Sequence, residues 1–118
     1  MNKILIVDDE PNILLSLEFL FKKEGLQVFI ARDGEEAMGI IEENRPELVI
    51  LDIMMPKVDG YEVCRHLKQH FPGVKVVFLT AKSKVQDIQK GLDLGADLYL
   101  TKPFSTKDLV AKVKAVLN

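Results

Sequence analysis

The sequence predicts a doubly wound α/β sandwich: a five-stranded parallel sheet with helices on both faces. Three observations carry that expectation. Five short apolar runs rich in Val, Ile and Leu recur along the chain, and several lack polar alternation, as strands covered on both faces do. Segments with helix punctuation separate them in strict alternation. Parallel neighbours also need crossover connections, which helices supply and which are nearly always right-handed.

The first run, residues 4–7, leads straight into Asp8, Asp9 and Glu10. Pro11 suits a first helical turn and Gly25 the helix end. The second run is 28–31. Asp33 and Glu36 then have capping-box spacing, with Asp at the cap. After the third run, 48–51, Asp59 and Glu62 repeat that spacing. Their helix carries Cys64 beside Val63 and three before Leu67, a core position. The fourth run is 74–79. Ser83 and Gln86 match the capping pattern in full and predict the next helix start. The fifth run is 98–100. Ser105 suits the cap of a last helix, on which Leu109, Val110, Val113, Val116 and Leu117 form one apolar face.

A chain of 118 residues without linker, repeat or low-complexity segment reads as one domain, 1–118. Its 47% hydrophobic content excludes a disordered acidic tail. No apolar run approaches the ~20 residues that span a bilayer. "MNKILIVDD" is too short in its apolar run for a signal-peptide core. The single cysteine excludes an internal disulfide and fits the cytoplasm. Sixteen basic and 18 acidic residues, mixed along the chain, give no electrostatic basis for direct nucleic-acid binding.

Ligands of doubly wound sheets gather at the carboxyl ends of the strands. Asp8 and Asp9 follow the first run, Asp52 the third, Thr80 the fourth, and Lys102 with Pro103 the fifth. Three carboxylates, a hydroxyl and an ammonium thus fall on one rim. Adjacent acids repel, and burial penalises their charge, so a cation is expected among them.

"VDDE", "LDIMMPKVDG", "FLTA" and "GADLYLTKPF" together resemble the receiver domain of two-component response regulators, of the chemotaxis-regulator type, in order and spacing over essentially the whole chain. The resemblance implies a flavodoxin-like strand order 2-1-3-4-5. It implies Mg²⁺, with Mn²⁺ as a substitute, held by Asp9, Asp52 and the Met54 backbone carbonyl, with Asp8 acting through water. Mg²⁺ is a hard ion that prefers oxygen ligands. Asp52 would be the phosphoacceptor, taking its phosphoryl group from a sensor histidine kinase or phosphotransfer protein. Thr80 and Lys102 would hold phosphoryl oxygens, and the Lys102–Pro103 bond would be cis. Tyr99 is either an exposed strand aromatic or the family's switch residue, moving when Thr80 does. Met54 and Lys82 stand where the family tunes phosphoryl lifetime. The output surface would be helix 4, strand 5 and helix 5, facing the downstream protein of a stand-alone shuttle or the fused output domain of a DNA-binding transcriptional regulator. The domain would be a signalling switch, catalysing only its own phosphorylation and dephosphorylation, and either monomeric or dimeric on phosphorylation.

Leu98 and Lys112 stand where receivers of winged-helix transcription factors often place an Asp and an Arg in dimer salt bridges, a departure from that dimer face. His66 and His70 lie four apart on a helix, but without a third ligand nearby they read as a solvated face. Two other classes fit these residues less well. A flavodoxin-like nucleotide or flavin binder wants a phosphate-cradling first loop, and "DDEPN" has the wrong charge. A haloacid-dehalogenase-type phosphatase wants a D-x-D pattern after the first strand, and "DDEPN" lacks that spacing.

Overall fold

The computed structural model describes residues 2–118. Ten elements alternate strictly: β1 (Lys3–Val7), α1 (Pro11–Lys23), β2 (Gln27–Ala31), α2 (Gly34–Asn44), β3 (Leu48–Leu51), α3 (Gly60–His70), β4 (Lys75–Thr80), α4 (Val85–Asp93), β5 (Leu98–Thr101) and α5 (Thr106–Leu117). All strand pairs are parallel, in the order β2-β1-β3-β4-β5.

The two-residue period of the strands sorts the core into two layers. Ile4, Ile6, Leu48, Ile50, Val77 and Leu79 face α1 and α5, meeting Leu14, Leu17, Phe21, Leu109 and Val113. Leu5, Val7, Val49, Leu51, Val76 and Phe78 face the other way, against Ala37, Ile41, Val63, Cys64 and Leu67. The central strands are thus apolar on both faces, which is why their sequences do not alternate. Each side chain of this size contributes about 1.5–3 kcal/mol on burial.

The helix starts follow their caps. The Asp33 carboxylate accepts from the Glu36 N–H at 2.8 Å and that of Asp59 from Glu62 at 3.0 Å. The Ser105 hydroxyl accepts from Asp108 at 3.3 Å. The Ser83 expectation is corrected. Helix α4 begins at Val85 with Lys84 in the cap position, extended at φ −70° and ψ 148°, and no side chain caps it. Pattern alone could not see that Lys84 is still extended, so that the helix starts one residue later.

Cys64 is fully buried, and burial pushes its thiol up to about 11. His66 and His70 stack at 4.6 Å between ring centroids on α3. Among the described residues they join no group of three ligands. Nor is any helix among those residues long and apolar enough to cross a membrane.

Candidate functional site

The site lies where strand order reverses, at the carboxyl ends of β1 and β3. Val7 pairs with Leu51, and the ladder runs one step further: the Asp52 N–H donates to the Val7 carbonyl at 3.0 Å. The Asp8 N–H donates to Ala31 on the other side at 3.1 Å. Sheet geometry therefore sets Asp8 and Asp52 side by side, both buried. Asp9, on the loop, is exposed, yet carboxylate oxygens of Asp8, Asp9 and Asp52 come within 4.8 Å of one another.

The loop after Asp52 fixes its rotation. Its Oδ1 accepts from the Ile53 N–H at 2.7 Å and the Met54 N–H at 3.3 Å. Gly60 lets that loop fold back, because a Cβ there would stand 2.2 Å from the Asp52 carbonyl oxygen. Met54 itself is 59% exposed at the mouth.

The cation beside these acids is Lys102. Its N–H donates to the Thr80 carbonyl at 2.8 Å, across the end of the β4–β5 ladder. Its ammonium lies 2.9 Å from Asp8 Oδ2 and 3.3 Å from Asp52 Oδ2. Glu10 is a third partner at 3.3 Å, a contact that the local sequence pattern does not signal. Burial works against the ammonium, but the Asp8 hydrogen bond and the charges of Asp52, Asp8 and Glu10 prevail and hold its pKa above the ordinary lysine value. Burial raises the Asp8 carboxyl pKa despite Lys102. The Lys102–Pro103 bond is cis.

Thr80 is buried at the end of β4, and its hydroxyl accepts from the Lys82 N–H at 3.4 Å. Tyr99 is half-buried, packed on Phe78 at 5.6 Å, with its hydroxyl donating to the Lys82 carbonyl at 2.8 Å. The reading of Tyr99 as a freely exposed strand aromatic is therefore set aside. The Lys82 ammonium turns to Asp87 at 3.9 Å. Tyr61 was not singled out by sequence. It donates to the Asp87 carbonyl at 3.1 Å and lies under the Lys90 ammonium at 4.4 Å, joining α3 to α4.

A three-carboxylate cluster with an adjacent ammonium and a buried threonine hydroxyl can bind a hard divalent cation and a tetrahedral anion together. A model of the response regulator receiver domain matches residues 4–114. The chain belongs to the response regulator receiver family.

Solved receiver structures superpose closely on it. The CheY-like receiver domain protein from Methanospirillum hungatei JF-1 is 33% identical, with a TM-score of 0.95, covering 99% of this chain and 94% of that one. The BeF3-activated DrrB receiver domain is 38% identical with a TM-score of 0.93, covering 99% and 97%. The BeF3-activated receiver domain of Klebsiella pneumoniae RstA is 31% identical with a TM-score of 0.94, covering 99% of each chain. This receiver is thus a two-component signalling domain with the flavodoxin-like order.

Proposed function

We propose that this receiver, residues 1–118 as one domain, takes a phosphoryl group on Asp52 from a cytoplasmic histidine kinase or phosphotransfer protein. The observation that carries the reading is the convergence of Asp8, Asp9, Asp52 and Lys102 at one strand-end rim. An Asp52 oxygen attacks phosphorus; the P–O bond forms as the P–N bond to the donor imidazole breaks, and that electron pair returns to the ring. The backbone N–H groups of Ile53 and Met54 hold the carboxylate in its attacking orientation. Transfer of this kind depends on positioning and charge stabilisation.

The donor set fits Mg²⁺, with Mn²⁺ as a substitute: it is all-oxygen, with three acids within 4.8 Å of one another. Asp9, Asp52 and the Met54 carbonyl would hold it, with Asp8 through water. Bound there, it would neutralise charge on the phosphoryl oxygens. Lys102 binds another phosphoryl oxygen, and the Thr80 hydroxyl a third.

Thr80 then draws the Lys82 loop with it, and Tyr99, bonded to the Lys82 carbonyl, carries the change to the α4–β5–α5 face. A downstream protein or an output domain reads that face. Lys112 is occupied by Asp108 at 3.0 Å and Leu98 packs inward, so any dimer there lacks the usual charge pairs. Met54 and Lys82 flank the mouth and set phosphoryl lifetime.

The test is hydrogen exchange with and without Mg²⁺ and beryllofluoride, the fluoride standing in for the phosphoryl group. Protection should change over residues 82–92, 98–101 and the start of α5, and Asp52→Asn should abolish the change. A response confined to the acids would show an acceptor without the switch.

A further inference from the structure

Glu10 stands at the N-cap of α1, yet its side chain does not cap. No acid occupies the first turn of that helix, Pro11 has no N–H, and the Ile13 N–H already donates to the Glu10 carbonyl at 3.1 Å, so little is left there for the carboxylate to cap. Instead Glu10 Oε1 reaches the Lys102 ammonium at 3.3 Å, 92 residues away in sequence. The loop is braced for this: the Glu10 N–H donates to Asp8 Oδ1 at 2.9 Å.

The three partners of Lys102 are not equivalent. Asp8 and Asp52 belong to the metal-competent cluster; Glu10 does not. A divalent cation in the cluster would repel the ammonium from Asp8 and Asp52, because like charges repel. Glu10 is the partner that remains.

We infer that Glu10 is a positioning residue that holds the Lys102 ammonium aside while the cation enters, and then competes with the phosphoryl group for it. The inference rests on the phosphoacceptor reading only in its second half. Removing the Glu10 charge should therefore act with opposite sign on the two ligands. Without it, Lys102 stays over Asp8 and Asp52 and opposes the cation. Once the cation is bound, Lys102 is free for the phosphoryl oxygen.

The test is a double-mutant cycle of Glu10→Gln with Lys102→Ala, read by calorimetric titration of Mg²⁺ and then of beryllofluoride at saturating Mg²⁺. Glu10→Gln should weaken Mg²⁺ binding about twofold to fivefold in the wild-type background, the scale of an exposed ion pair. It should tighten beryllofluoride binding. The Mg²⁺ effect should shrink in Lys102→Ala, because Glu10 acts through that ammonium. An equal loss of Mg²⁺ affinity in both backgrounds would reduce Glu10 to a surface charge and overturn the inference. So would beryllofluoride binding that weakens in step with Mg²⁺. If wild-type protein binds Mg²⁺ but not beryllofluoride, the phosphoacceptor reading fails, while the Mg²⁺ cycle still decides the role of Glu10.

Discussion

The Tyr99 hydroxyl donates to the Lys82 carbonyl at 2.8 Å, tying the strand that precedes Lys102 to the loop that follows Thr80. The tie needs space, and Gly91 provides it. A Cβ on Gly91 would stand 2.9 Å from Tyr99 Cδ2 and 3.1 Å from the Phe78 ring. Gly91→Ala ordinarily gains about 0.5–1 kcal/mol in a helix interior. Here the clash with two packed rings should reverse the sign, with a net loss of about 1–2 kcal/mol. Part of that loss should vanish in Tyr99→Ala. Denaturant titration of the two single variants and the double variant checks it; purely additive effects would mean the ring does not bear on α4.

Asp97 should set part of the acid limit of stability. Its carboxylate accepts from the buried Val76 N–H at 2.9 Å and from Lys68 at 2.9 Å. Burial raises the pKa of this carboxyl, but those two partners outweigh it and hold the value below the ordinary 3.8. A depressed acid stabilises the fold fully above its unfolded value and loses that contribution as pH falls through the folded one. Asp97→Asn should therefore flatten stability against pH below about 4. Asp97→Ala should lose about 1–3 kcal/mol at neutral pH, because the Val76 N–H is orphaned. Unfolding midpoints from pH 2 to 7 measure both.

Mg²⁺ should raise the melting temperature by binding only the folded state. Asp9→Asn should abolish that response while leaving the apo protein as stable or more so, since one of three neighbouring charges is gone. A full Mg²⁺ shift in the variant would place the metal elsewhere.

Much of this was legible in the sequence because it is local. The apolar runs, the caps at Asp33, Asp59 and Ser105, and the buried Cys64 each follow from a few neighbouring residues. Strand-end position alone sets Asp8, Asp52, Thr80 and Lys102 on one rim, and the Lys102 ammonium does reach both Asp8 and Asp52. Contacts made away from the strand ends were not legible. Glu10 stood in plain view after Asp9, but its partner lies 92 residues on. Gly91 interrupts a helical pattern, a signal that usually has a packing reason. Tyr61 reads only as a residue after the α3 cap, and its bond to Asp87 depends on how α4 is laid down.

The central claim is that Asp52 accepts the phosphoryl group. The most direct measurement is the intact mass of wild type and Asp52→Asn after incubation with Mg²⁺ and acetyl phosphate or phosphoramidate. Wild type should gain one phosphoryl mass that disappears on chelating the metal before donor is added, and Asp52→Asn should gain none. The same gain in both proteins, or no gain in wild type under conditions that phosphorylate a known receiver, would contradict it.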